Sequence, residues 1–113
     1  MAAKVIEINL ERGMPHVEEA IKRMMNGLTT AKRSGCRAAI LIHGYGSSGS
    51  GGIIKEEVGS KLKAPSLRGT ARDSVRGENW TIKKKEFLDI CPALREFERH
   101  IEGNKGITVV LLK

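Results

Sequence analysis

The chain of 113 residues is poor in aromatic side chains, prolines and cysteines, and it has no long apolar run. Aromatic residues make up only 4% of it, which argues against a sheet that stacks several unpaired bases on aromatic rings. Cys36 and Cys91 form no C-x-x-C pair, so neither a zinc site nor a disulfide framework is predicted. The N-terminus lacks a signal-peptide pattern, and we expect a cytoplasmic protein without membrane attachment.

Basic residues, by contrast, are abundant. Twenty Lys and Arg against thirteen Asp and Glu give a formal net charge of +7. Such a charge is common in proteins that bind polyanions, although many basic proteins bind no nucleic acid. An apolar fraction of 40% is enough for one modest hydrophobic core, so we expect a single domain over residues 1–113.

The most informative stretch covers residues 38–58 and reads AAILIHGYGSSGSGGIIKEEV. It starts as a continuous apolar run, which is typical of a strand covered on both faces. Closely spaced glycines follow, and a helical pattern begins at Ile53. Glycine lets a ligand approach the backbone, and the free N–H groups at a helix start favour anions such as phosphate. The sequence therefore predicts that this loop is the centre of function.

Hydrophobic periodicity predicts an α/β fold with elements in the order β-α-β-α-β-α-β. Strands are predicted at residues 5–10, 37–42, 80–82 and 106–112, and helices beginning near residues 16, 53 and 92. We expect a mixed sheet with helices on one or both faces. Residues 64–78, APSLRGTARDSVRGE, lack a clear period and predict a solvated irregular segment.

Three motifs spread over nearly the whole chain carry a family resemblance. They are VEEA at residues 17–20, IHGYG at residues 42–46 and GITVVL at residues 106–111. In order and approximate spacing they resemble motifs of the small MutS-related (Smr) domain family. The resemblance implies a two-layer α/β sandwich with a four-stranded mixed sheet. It also implies binding of DNA or RNA, with nicking or RNA cleavage in some members, in repair, recombination or ribosome-associated settings.

Two departures from the family pattern bear on catalysis. The family's first strand usually ends in L-D-x-H-G, whereas residues 8–13 read INLERG, so that Asn9 replaces the acid and Glu11 the histidine. An amide neither accepts a proton usefully nor ligates Mg²⁺ as a carboxylate does. Tyr45 also takes the place of a common lysine, in a loop longer than the family's. We therefore expect binding rather than cleavage.

The candidate binding surface combines the loop with three arginines spaced four residues apart. His43 could contact phosphate as an imidazolium or assist proton transfer, although a lone histidine at a strand end is more often a structural hydrogen-bonding residue. The arginines would hold phosphates without regard to sequence. The predicted nucleic-acid-binding residues are His43, Gly44, Tyr45, Gly46, Ser47, Ser48, Arg68, Arg72 and Arg76.

Two other functions stay open at this point. One is a metal-dependent endonuclease with His43 and Glu11 as catalytic residues, which would require Mg²⁺ or Mn²⁺. The other is an adaptor that docks a protein or the ribosome through the same basic face. The binding function itself calls for no cofactor or metal ligand. A P-loop is excluded because no Gly-Lys-Ser/Thr sequence ends the glycine loop.

Overall fold

A computed structural model describes residues 5–13, 15–44 and 51–113. The strands are β1 (Val5–Asn9), β2 (Ala38–Ile42), β3 (Ala71–Arg76) and β4 (Ile107–Leu112). The helices are α1 (Val17–Arg33), α2 (Gly51–Leu62), α3 (Trp80–Ile90) and α4 (Glu98–Ile101), and short 3-10 turns lie at Pro65–Leu67, Gly77–Asn79 and Pro92–Phe97. Within the described residues, no helix is long and apolar enough to cross a membrane.

The four strands form one mixed sheet in the order β1-β2-β4-β3. β1 and β2 are parallel, and β4 runs antiparallel to both β2 and β3. Because of these directions, β1, β2 and β3 end on the same side of the sheet, where β4 begins. We call this end of the sheet the loop end, and it is marked by Asn9, Ile42, Arg76 and Thr108. The predicted α/β class and four-stranded mixed sheet are confirmed.

Helices cover both faces of the sheet. Ala39 and Leu41 of β2 belong to a buried cluster with residues of α1 and α2, whereas Ala38 and Ile40 belong to a second cluster with residues of α3, α4 and the turn before α4. Successive side chains of a strand point to opposite faces, so a strand buried on both sides needs apolar residues at every position. This explains the continuous apolar run in β2, and β4 is buried along its whole length for the same reason.

Helix α1 follows the predicted pattern closely. Its buried side chains recur at spacings of three and four, which places them on one stripe facing the sheet. Acidic residues occupy the first turn and basic residues the last, as the helix dipole favours. Gly35 follows with φ of +83°, a conformation that glycine adopts without strain. The buried residues of the stripe are Ala20, Met24, Leu28 and Ala31.

The third strand was predicted in the wrong place. Residues 80–82, predicted as a strand, begin helix α3, and the segment predicted as irregular contains β3. Only Val75 of β3 is buried, because this strand lies at the edge of the sheet and has β4 as its one neighbour. Its polar sequence therefore carries little strand signal. The buried residues of α3 are Trp80, Phe87 and Leu88, and they are spaced as on one face of a helix. This pattern extends past residues 80–82, on which the strand prediction rested.

Candidate nucleic-acid interface at the loop end

His43 follows β2 at the loop end, and its side chain has 0% exposure. Its Nδ1 lies 2.5 Å from the carbonyl oxygen of Gly44, and its Nε2 lies 2.8 Å from the hydroxyl of Thr108 on β4. A carbonyl oxygen can only accept, so Nδ1 carries the proton of the neutral ring and Nε2 accepts from the Thr108 hydroxyl. Both ring nitrogens are thus engaged, and the ring connects the end of β2 to β4.

Burial lowers the pKa of His43 below its ordinary value of 6.5, and the nearby cations Lys55 and Arg76 lower the pKa further. The hydrogen bond to Gly44 and the carboxylate of Glu78 oppose this shift. The ring is therefore neutral at pH 7. Of the two roles considered for His43, this geometry favours the structural one, since an imidazolium would lose the acceptor that binds Thr108.

Stability is expected to fall as the pH is lowered from about 7.5 through the ordinary histidine pKa of about 6.5. In the unfolded chain His43 takes up a proton near 6.5, whereas the folded chain takes it up only at lower pH. In that interval the unfolded state binds more protons, so the free energy of unfolding decreases with falling pH, by at most about 1.4 kcal/mol per pH unit. Urea unfolding at several pH values measures this slope.

The His43→Gln variant should lose this part of the pH dependence, while His16→Gln, at an exposed histidine whose side chain makes no cap hydrogen bond, should keep it. The carboxyl of Glu78, whose pKa is lowered chiefly by the hydrogen bond from Lys55, titrates below its ordinary 4.5 and so lies outside the interval. If the free energy of unfolding changes equally with pH in the wild-type chain and in His43→Gln, another group causes the pH dependence.

Asn9 builds the turn that follows β1. Its Oδ1 accepts the backbone N–H groups of Glu11 and Arg12, each at 3.0 Å. Arg23 of α1 donates to the carbonyl oxygens of Arg12 at 2.9 Å and of Asn9 at 3.3 Å. Asn9, which replaces the family's acid, thus has a structural role, and its side-chain oxygen already accepts two hydrogen bonds. Glu11 lies exposed in this turn, at the same end of the sheet as His43.

Two ion pairs join other elements at the loop end. Lys55 of α2 pairs with Glu78 in the turn after β3, and the Lys55 side chain is only 11% exposed. Arg76 at the end of β3 lies 3.6 Å from Glu56. Sequence analysis identified Arg76 but missed Lys55 and Glu78. No local signal could have found that pair, because 23 positions separate its partners.

The structure does not bring the three predicted arginines together. Arg76 lies at the loop end, near His43, whereas Arg72 lies near the start of β3. Four residues of strand separate them by about 13 Å. Arg68 precedes β3, directly after the turn Pro65–Leu67, and is therefore at the opposite end of the strand from Arg76. In a helix a spacing of four brings side chains within about 6 Å of one another, whereas in a strand the same spacing keeps them about 13 Å apart.

The structure describes the two ends of the glycine loop. Gly44, with φ of +74°, leaves β2 with its N–H donating to Gly106, and α2 begins at Gly51. The predicted binding residues Tyr45, Gly46, Ser47 and Ser48 lie outside the described residues. Within the described ranges, no group of three or more His, Cys, Asp and Glu side chains is arranged to hold a metal ion.

The fold and this sheet end define an α/β protein in which the end of β2 and the start of α2 lie at the candidate site. Residues 11–113 match the family model of the Smr domain, and the chain belongs to that family. The family is known for nucleic-acid binding and nicking. The matched region begins after Asn9, which is one of the positions that depart from the family motif.

The crystal structure of the Smr domain of Thermus thermophilus MutS2 has a similar fold. The similarity covers 97% of this chain and 98% of that one, with a TM-score of 0.57 and 20% sequence identity. At this identity the likeness supports the shared fold only. A search of curated proteins found no match.

Proposed function

We propose that this chain binds DNA or RNA through the sugar–phosphate backbone, and that the family's usual catalytic arrangement is not operative in it. The observation that carries the proposal is the position of Arg76 at the loop end, close to His43 and to the first turns of α2. The chain bears a net charge of +7 and belongs to a family that binds nucleic acid.

Arg76 is well suited to bind a phosphate. Its partner Glu56 has a side chain that is 75% exposed, and the two charged groups are 3.6 Å apart. Such exposed pairs contribute little stability, so a phosphate can replace the carboxylate at low cost. Helix α2 also begins at this end without an acidic residue in its first turn, and the positive end of its dipole favours an anion.

The same geometry argues against cleavage by the residues of the family motifs. A general base must reach the proton that it removes. His43 is buried with both ring nitrogens hydrogen-bonded, and the side-chain oxygen of Asn9 accepts two backbone N–H groups. Neither group is available to activate a water molecule in this arrangement.

Binding is expected to weaken steeply with salt, because phosphate contacts release counterions. Fluorescence anisotropy with labelled single-stranded and duplex DNA and RNA, over a series of salt concentrations, measures the slope. Arg76→Gln should reduce the magnitude of that slope by about 1. Arg95→Gln removes the same charge from an exposed position on the turn before α4 and serves as the matched control. Affinity that does not change with salt would contradict the proposal.

An endonuclease is the second candidate, and the exposure of Glu11 is the observation that favours it. This carboxylate lies in the turn after β1, at the loop end, where it is accessible to solvent. Incubation of labelled DNA and RNA with Mg²⁺ or Mn²⁺, and in parallel with EDTA, tests for cleavage. Metal-dependent products that disappear in Glu11→Gln would establish the nuclease, whereas products that persist in that variant would exclude Glu11 as its catalytic carboxylate.

A further inference from the structure

A groove follows the open edge of the sheet along β3, with α2 on one side and α3 on the other. It consists of two adjoining cavities of about 420 Å³ and 210 Å³. The larger one reaches Arg76 and Thr108 at the loop end, and the smaller one reaches Arg72 at the start of β3. Both share the same central lining, formed by Leu62, Lys63, Ser74 and Lys83. The groove therefore connects the loop end with Arg72 at the start of β3.

The backbone of β3 inside this groove is already hydrogen-bonded by side chains. The N–H of Ser74 donates to Asp73 Oδ1 at 2.8 Å, and Lys83 Nζ donates to Asp73 Oδ1 at 2.8 Å and to the carbonyl oxygen of Ser74 at 3.3 Å. An incoming peptide strand would have to break these bonds before it could pair with Ser74. Side chains that cover an edge in this way protect it from strand addition.

The charge of the groove favours a polyanion. Its lining contains four cationic side chains and one carboxylate, that of Asp73. Lys63 and Arg72 are exposed, and neither has an ion-pair partner among the described residues. Their charges are therefore available to an incoming anion. The cationic residues are Lys63, Arg72, Arg76 and Lys83.

The groove also offers apolar surface beside these charges. Ile82 at the start of α3 is 78% exposed, an unusual exposure for an isoleucine, and Leu62 of α2 shares the lining. A duplex turns its base faces inward, whereas a single strand can lay an unstacked base against an apolar side chain while its phosphates meet the cations. Cations and exposed apolar surface together fit a single strand better than a duplex.

We propose that the β3-edge groove holds a segment of single-stranded nucleic acid, which enters or leaves it at the loop end. This inference rests on the proposed nucleic-acid binding and specifies its path. Lys63, Arg72 and Arg76 contact successive phosphates, and a base lies against Ile82. The negative charge of Asp73 repels the phosphates of the bound nucleic acid.

The test compares two double variants with equal changes in charge. Lys63→Glu with Arg72→Glu reverses both unpaired groove cations. Lys22→Glu with Arg99→Glu reverses one lysine and one arginine at exposed positions on α1 and α4, outside the groove. Binding is measured by fluorescence anisotropy with labelled single strands of roughly ten nucleotides, DNA and RNA, and with a DNA duplex. Circular dichroism confirms that each variant is folded.

The groove variant should bind the single strands at least about tenfold more weakly than the control variant, with a salt slope smaller in magnitude by about 1.4, since each lost phosphate contact in a single strand removes about 0.7. Asp73→Asn should act in the opposite direction and tighten binding by about threefold. The asparagine oxygen can still accept the Ser74 N–H, so the change removes charge and leaves this hydrogen bond in place.

Three outcomes would overturn the inference in distinguishable ways. If the wild-type chain binds and the two double variants bind equally, the groove is not the path, while the proposed function stands. If the wild-type chain binds duplex as tightly as single strand, and the groove variant weakens both alike, the groove does not select single strands. If the wild-type chain binds none of the probes, the proposed function fails and the groove inference fails with it.

Discussion

Replacement of Trp80 by alanine is expected to lower the free energy of unfolding by about 4 kcal/mol. Trp80 is completely buried and has one of the largest side chains in the core. Its ring meets that of Phe87 edge to face, with 6.0 Å between centroids, and its Nε1 donates to Glu98 at 3.2 Å. The alanine variant leaves a cavity between α3 and the sheet, loses the aromatic contact and removes the hydrogen bond that lowers the pKa of the Glu98 carboxyl.

Urea unfolding followed by circular dichroism measures the loss, since the variant has no tryptophan left to report by fluorescence. Ile82→Ala, two residues further along α3, is the control. Its side chain is largely exposed, and the change should alter stability by less than about 0.5 kcal/mol. A loss below about 2 kcal/mol for Trp80→Ala would mean that the neighbouring side chains fill the cavity, or that α3 does not cover this face of the sheet as described.

Gly77→Ala should destabilise the fold by about 3 kcal/mol. Gly77 is buried in the turn between β3 and α3, and its carbonyl oxygen accepts the N–H of Gly103 at 3.0 Å. A Cβ at this position would lie 2.7 Å from the carbonyl oxygen of Ile101 and would overlap that of Asn104. Both obstacles are backbone atoms, so no side-chain rotation relieves the clash and the turn itself must shift.

Gly69→Ala is the matched control for this change. A Cβ at Gly69 would meet no other heavy atom within 4 Å. The substitution should therefore be neutral, or stabilising by about 0.5 kcal/mol because it restricts the unfolded chain. Thermal and urea unfolding of both variants measure the difference. Similar stability in the two variants would contradict the close approach of the turn after β3 to the segment after α4.

The Gly77 turn also has a functional consequence under the proposed function. Arg76 precedes it and Glu78 follows it, so the turn sets the positions of one phosphate-binding candidate and of the partner of Lys55. A clash at Gly77 would displace both charged groups. We therefore expect Gly77→Ala to weaken nucleic-acid binding even where the variant is still folded, a loss that Gly69→Ala should not show.

Two residues at the loop end have structural roles, one that departs from the family motif (Asn9) and one that matches it (His43). Asn9 organises the turn after β1, and His43 connects β2 to β4 through Thr108. Neither offers a free group for catalysis. This agrees with the proposal of binding without the family's cleavage, with positive charge supplied by Lys63, Arg72 and Arg76.

The sequence by itself determined the elements that are buried along one stripe or on both faces. The sequence was sufficient to recognise helix α1, strands β2 and β4 and the family, because each depends on a short contiguous pattern or motif. The α/β order followed from these elements. The departure at Asn9 was visible as well, although the turn that Asn9 builds was not.

Only the tertiary structure decided where β3 lies and which charges meet. An edge strand has one hydrogen-bonding neighbour and needs few apolar residues, so β3 forms where β4 offers an open edge and leaves little local signal. The pair of Lys55 with Glu78, the burial of His43 against Thr108 and the separation of the arginines all depend on contacts between distant segments. Periodicity reports which face of an element is buried, and packing alone sets which elements meet.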